Sequence, residues 1–134
     1  MTEFRRKTIG IAVVEYQGCY LIGTRPSGAS LAGFAEFPGG KCEPGEEPSA
    51  AATRECLEET GLPVEVCELL TRRRYDYPYG SVDLHFYLCR PAEAPETHTD
   101  LRGFRWESVS ALRKLKFPRA NVPVLDLLEQ RARA

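Results

Sequence analysis

Between Glu36 and Leu62 the chain carries seven glutamates and only two cations, Lys41 and Arg54, in twenty-seven residues. In a helix each residue turns by about 100°, so Glu55, Glu58 and Glu59 fall within one arc of about 100°, with Ala50, Thr53, Cys56 and Leu57 pointing the other way. Like charges at this spacing destabilise a helix by about 0.2–0.5 kcal/mol per pair. Such a face is either left to solvent or neutralised by something positive. Arg54 relieves part of the repulsion, but one guanidinium cannot pair bidentately with three carboxylates. A divalent cation can. Gly39 and Gly40 let the backbone turn sharply and approach a ligand, freeing a carbonyl as a further hard oxygen donor. Magnesium takes octahedral oxygen, keeps several waters and is commonly completed by substrate phosphates. Three carboxylates and one carbonyl therefore point to Mg²⁺, with Mn²⁺ as the possible substitute, and to a phosphate-bearing substrate.

The elements that must position these residues are legible from pattern. Pro48 and Ser49 mark the start of the glutamate-rich helix and Gly61 its end, at the position where a positive φ is cheapest. Before it, Lys7 to Tyr16 and Cys19 to Arg25 read as two strands of a hairpin around Gln17 and Gly18. After it, Val64 to Tyr77 and Ser81 to Arg90 flank the turn Pro78-Tyr79-Gly80, and Gly103 to Ser108 supplies a further strand. The segment 90–101 is polar and proline-punctuated, an exposed loop. Two more helices fit 108–115 and 122–134, the second with Pro123 in its first turn. The order β-rich, helix, β-rich, helix predicts an α+β sandwich with a mixed sheet.

Size and composition narrow the classes. The chain has 134 residues, enough for one domain to bury a core without staples. Eighteen basic residues nearly balance nineteen acidic ones, for a formal charge of −1, so no broad attraction to nucleic acid or an anionic membrane is expected. Five cysteines without CxxC spacing, and an N-terminus lacking the apolar stretch of a signal peptide, predict a reducing, cytoplasmic setting. His85 and His98 are isolated from paired cysteines, which argues against a zinc site. No apolar run is long enough to span a bilayer.

Gly40, Glu46, and the run Arg54, Glu55, Cys56, Leu57, Glu58, Glu59, Thr60, Gly61, Leu62 resemble the Nudix box, here 40–62, with Cys56 the one unusual occupant of an aliphatic slot. The resemblance implies a single domain over 1–134 with a Nudix-type α/β/α sandwich, divalent metal ions, and water attack on a pyrophosphate linkage. It implies that Gly39, by its carbonyl, Glu55, Glu58 and Glu59 bind metal, that Arg54 orients Glu55, and that Lys41 meets a phosphate oxygen. Glu46 either fixes the loop or assists a water. For the general base, counting back from Trp106 gives Asp100, with Glu96 or a box glutamate as the other choices.

Phe117 to Val124 and the run Glu36 to Gly40 also resemble MutT-type 8-oxo-dGTP diphosphatases, which implies Asn121 as the base reader, Phe37 lining the base pocket and Arg25 contacting sugar or phosphates. Undamaged guanine presents two acceptors, O6 and N7, on its outer edge, whereas in 8-oxoguanine N7 carries a proton. Asn121 can donate to O6 and accept from N7–H, a pattern that guanine does not offer. Asn121 is also well suited to cap the last helix, Phe37 to pack in the core and Arg25 to end a strand in solvent. The subfamily's Asp-Arg pair in the second hairpin turn is replaced here by Tyr79 and Gly80. Arg72 to Tyr79 reads instead as a charged strand face with aromatic cross-strand pairs. The expected function is 8-oxo-dGTP hydrolysis to 8-oxo-dGMP and pyrophosphate. The alternatives are a pyrophosphatase for another dNTP, a dinucleoside polyphosphate or ADP-ribose, and a non-catalytic damaged-base reader. The expected partner is a free nucleotide, and oligomeric state is left open.

Overall fold

The computed structural model describes residues 5–78 and 80–133; Tyr79, singled out above, lies outside them. The strand β1 (Arg5–Tyr16) organises the sheet, and its burial alternates little because both of its faces are covered. Along one edge it pairs in parallel with β6 (Gly80–Pro91), which continues antiparallel to β5 (Val64–Tyr77). The other edge is shared. Residues 9–11 pair with β4 (Gly39–Lys41), and only Glu15 and Tyr16 pair with β2 (Cys19–Thr24). Beyond that point β2 carries β7 (Arg105–Ser108) and the two-residue β3 (Ala35–Glu36). The sheet thus forks, and Phe37 and Pro38 bridge the fork from β3 to β4.

Helices cover both faces, giving the expected α+β sandwich with a mixed sheet. The helix α1 (Pro48–Thr60) packs Ala52 and Cys56 on Ala12, Val14 and Cys89, with Leu62 and Leu101 closing that core. On the opposite face α2 (Val109–Leu112) and α3 (Val122–Arg133) set Leu112, Val124, Leu125 and Leu128 against Val13, Phe86 and Leu88. The α1 approach is unusually close. A Cβ on Gly10 would stand 2.1 Å from the Pro48 carbonyl oxygen and 2.8 Å from the Ala52 nitrogen, so only glycine lets the helix sit at this distance.

Several expectations need correction. The buried stripe of α1 is Ala51, Ala52, Cys56 and Thr60, whereas Ala50 is exposed and Leu57 is 47% exposed. Small residues allow the tight contact with Gly10, and the whole packing face rotates toward them. The first of the late helices is one turn, capped by the Ser108 hydroxyl accepting from the Ala111 N–H. The short strands β3 and β4 fall in Gly/Pro-rich sequence that carries no alternation. No aromatic pair forms across the second hairpin at Tyr75, which faces Val82. Its charged face pairs instead through Arg72, whose fork grips Asp83 at 2.9 and 2.6 Å.

Candidate active site

The loop 42–47 and α1 are locked together by Arg54. Its Nε and Nη2 donate to Glu46 Oε2 and Oε1 at 2.8 and 2.9 Å, while Nη1 reaches Glu55 Oε1 at 3.0 Å and Glu58 Oε2 at 3.2 Å. Nη2 also donates to the Lys41 carbonyl, which ties the end of β4 to the helix. Glu46 Oε1 accepts from the Glu43 N–H at 2.9 Å, closing the loop on itself. One guanidinium therefore hydrogen-bonds three of the carboxylates, with a two-nitrogen fork only at Glu46, and stands 3.8 Å from a fourth, Glu43. This bonding holds the Glu46 carboxyl well below the usual range, at about 2.

Glu55 and Glu59 lie beside the buried stripe of α1 rather than on its exposed side. The Glu55 carboxyl lies so close to Gly40 that a Cβ there would stand 2.4 Å from its Cδ. Glu59 is half-buried and faces Glu55 and Glu36, with the Gly39 N–H turned toward it. Burial, and then the hydrogen bond and charge of Glu55, push the Glu59 carboxyl up to about 8. Glu58 sits on the outer side, its side chain 58% exposed.

Gly39 presents its backbone to the same place. The bonds from the Ala12 N–H to the Pro38 carbonyl and from the Cys42 N–H to the Thr8 carbonyl fix the bonded pairs of the β1–β4 ladder. By alternation, the Gly39 N–H and C=O point away from β1, toward Glu59.

Among the described residues no three Asp, Glu, His or Cys side chains converge closely enough to chelate an ion. The donor set nonetheless fits a divalent hard cation. Two carboxylates, Glu55 and Glu59, stand together, with burial and the like charge raising the Glu59 carboxyl, beside a peptide carbonyl unused by the sheet.

The other predicted residues gather around the fork, with two exceptions. Arg25 at the end of β2 donates from Nε to the Ser30 carbonyl at 2.7 Å and from Nη1 to Glu36 at 3.4 Å. Glu36, given no chemistry from sequence, thereby links Arg25 electrostatically to Glu59. Phe37 is 7% exposed, its ring centroid 5.3 Å from that of Phe117. Phe117 was missed from sequence; it follows Lys116, whose carbonyl accepts from the Ala35 N–H at 2.7 Å and so docks this segment on β3.

Asn121 ends the 3₁₀ turn Arg119–Asn121, half-buried, with its N–H bonded to the Pro118 carbonyl. The turn runs directly into α3, and no capping bond from the Asn121 side chain forms among the described residues. Lys41 is exposed and lines an open cleft of about 560 Å³ with Arg6, Arg72, Asp83 and His85, whose Asp83 is already paired with Arg72 and His85.

The loop candidates separate. Asp100 is exposed and accepts from the Arg102 N–H at 2.9 Å, in a loop that touches the end of α1. Glu96 lies elsewhere, lining a hollow with Tyr16, Cys19 and Trp106.

Comparison with known proteins identifies the family. The NUDIX domain model matches residues 4–128. An 8-oxo-dGTP diphosphatase of Haemophilus influenzae is 35% identical over 120 residues, covering 89% of this chain and 87% of that protein. A CTP pyrophosphohydrolase of Escherichia coli is 29% identical over 120 residues, covering 86% and 85%. The solution structure of a MutT protein from methicillin-resistant Staphylococcus aureus superposes with a TM-score of 0.76 at 26% identity, covering 96% of this chain and 98% of that one.

Proposed function

The chain belongs to the NUDIX family, a family of divalent-metal-dependent hydrolases, and from that premise we propose that it hydrolyses 8-oxo-dGTP to 8-oxo-dGMP and pyrophosphate, clearing an oxidised precursor from the nucleotide pool. The observation that carries the reading is the paired Glu55 and Glu59 beside Gly39, with Phe37 two residues before that glycine and packed on Phe117, which opens the segment that carries Asn121.

We assign Glu55, Glu59, Glu58 and the Gly39 carbonyl to the metal, with Mg²⁺ as the ion and Mn²⁺ as its substitute. Bound there, a divalent ion neutralises phosphate charge and acidifies water. The protein's own residues do the rest. An ion held there would supply the counter-charge that lets Glu59 stand ionised beside Glu55. Arg54 holds Glu55 and Glu58 in place and is itself held by the fork of Glu46, so Glu46 acts through loop geometry. Lys41 meets a phosphate oxygen and Arg25 the sugar or phosphates. Asp100 takes the proton of the attacking water. Asn121 donates to O6 and accepts from N7–H of the oxidised base, with Phe37 and Phe117 forming the apolar wall. Undamaged dGTP sets an N7 lone pair against the amide oxygen, a mismatch of the kind that discriminates strongly.

Phe37, at 7% exposed, contributes mainly by shaping the wall. We further propose one domain over 1–134, acting in the cytoplasm on free nucleotides, without stable nucleic-acid binding, as a monomer or small homo-oligomer. Among the described residues no helix is long and apolar enough to cross a membrane.

Steady-state rates on 8-oxo-dGTP, dGTP, other dNTPs, CTP, dinucleoside polyphosphates and ADP-ribose test the substrate. We expect the highest kcat/KM on 8-oxo-dGTP, and a preference for unoxidised dGTP overturns the reading. The second reading, another nucleotide as substrate, is favoured by one feature of the sequence: Tyr79 and Gly80 occupy the positions where the MutT-type pattern has an Asp-Arg pair.

A further inference from the structure

Arg102 is held in a backbone conformation that residues with side chains rarely adopt. Its φ is +57°, in the left-handed region, and Gly103 follows at +90°. A turn that needed only this path would be served by glycine. What distinguishes arginine here is the reach of its guanidinium. Nη1 donates to the Glu58 carbonyl at 2.5 Å, in the last turn of α1. That carbonyl would ordinarily accept from the N–H of Leu62, but the Leu62 N–H is bonded to the Thr60 hydroxyl at 3.1 Å. Arg102 therefore satisfies one of the acceptors that every helix end leaves over.

The same residue holds the loop from its other end. The Arg102 N–H donates to Asp100 Oδ1 at 2.9 Å, so the carboxylate is tied to the residue whose side chain grips the helix. Leu101 between them is 6% exposed, buried in the core beneath α1, and its carbonyl accepts from the Phe104 N–H. The guanidinium also lies in ordinary contact range, 3.6–3.7 Å, of the Cβ position of Gly61, the residue that ends α1. Helix end, loop and carboxylate form one unit with Arg102 at its centre.

We propose that Arg102 is a positioning residue for hydrolysis: one backbone and one side-chain bond join Asp100 to the helix that carries Glu55, Glu58 and Glu59, and hold both in one frame. This rests on the reading of Asp100 as the carboxylate that takes the proton from water. A simple capping role predicts lost stability alone. A positioning role predicts lost turnover that depends on Asp100.

Arg102→Gly separates the two, because glycine suits φ +57° while the guanidinium is removed. Measured on 8-oxo-dGTP with Mg²⁺ well below the melting temperature, kcat is expected to fall about tenfold with little change in KM, as for a small misplacement of a reacting group. Arg102→Lys, which retains a long cationic donor, is expected to recover part of the loss. In an Asp100→Asn background, Arg102→Gly should have no further effect on kcat. Unchanged kcat in Arg102→Gly overturns the proposal, as does the same fold loss in both backgrounds. Full turnover in Asp100→Asn alone removes the reading of Asp100 and the proposal with it. An impaired Asp100→Asn, with multiplicative losses in the double variant, removes only the positioning role.

Discussion

The carboxylate face and the base wall sit a few residues apart at one fork of the sheet, yet they are assembled in opposite ways. Nearly all of the first comes from the continuous run 39–62, and its members reach one another through helical spacing and one closed loop. The second is collected from the end of β2, the β3–β4 bridge and the 117–121 segment, which are joined by the Ala35–Lys116 backbone bond and the Phe37–Phe117 contact. They differ in charge as well. Arg54 answers Glu46, Glu55 and Glu58, but Glu59 meets two like charges with a single N–H in its favour. The carboxylate face leaves Glu59 beside two like charges, which the proposed cation would answer, whereas the proposed wall is a packed apolar surface with Asn121 as its one proposed polar reader.

The largest effect is expected where the arrangement is least finished. Glu59→Gln should lower turnover by more than about a hundredfold, the upper end of what removing a mere supporting partner of a metal site costs. The metal-free protein should melt at the same temperature or higher, since glutamine brings no charge beside Glu55. Survival of turnover in this variant would place the chemistry elsewhere.

Next in size is Gly10→Ala, which probes the scaffold of the carboxylate face alone. A methyl group at 2.1 Å from the Pro48 carbonyl forces α1 outward, with an expected loss of about 1–3 kcal/mol of stability in denaturant titration. Displacing α1 moves Glu55 off Gly40 and should lower activity on every nucleotide by the same factor. A change in the ranking of nucleotides would mean that the two regions are mechanically one.

On the wall, Asn121→Ala should erode the preference for 8-oxo-dGTP over dGTP by about tenfold, in keeping with about 1–3 kcal/mol for a paired base contact. Overall turnover should fall less. Equal losses on both nucleotides would leave Asn121 as a structural residue of the turn before α3.

The same contrast explains what was legible in the sequence. The helix bounds follow from Pro48 and Gly61, and the shared face of Glu55, Glu58 and Glu59 from helical spacing, whereas Glu46 and Arg54 enter through the resemblance to the Nudix box; the structure joins them to the face through the Arg54 guanidinium. The long strands β5 and β6 follow from their composition. Leu57 was placed on the wrong face because a hydrophobicity pattern weights leucine over alanine, while the close contact at Gly10 selects small side chains. Phe117 and Glu36 were invisible as site residues, since only the docking of 116 on β3 and the pairing of Arg25 bring them in. Arg102 carries no sequence signal at all. Its role depends on a positive φ and on a helix carbonyl left over by the Thr60 hydroxyl.

The smallest effect, a slope of stability with pH, sets Glu59 against Glu46 within one cluster. Both start from an ordinary carboxyl value of 4.5. Glu59 is raised to about 8, so its contribution is intact below 4.5 and is lost as pH rises from there through about 8, where the folded state too must ionise. Glu46 is lowered to about 2, so its contribution is intact above 4.5 and is lost as pH falls through about 2. In chelator, the melting temperature should therefore decline on the alkaline side through Glu59 and on the acid side through Glu46. Glu59→Gln should flatten only the alkaline arm and Glu46→Gln only the acid one. Added Mg²⁺ should also flatten the alkaline arm, because the ion binds the ionised pair and shifts stability by mass action. An alkaline decline that persists unchanged in Glu59→Gln would mean that the unfinished charge lies at some other group, and the contrast between the two regions would lose its electrostatic half.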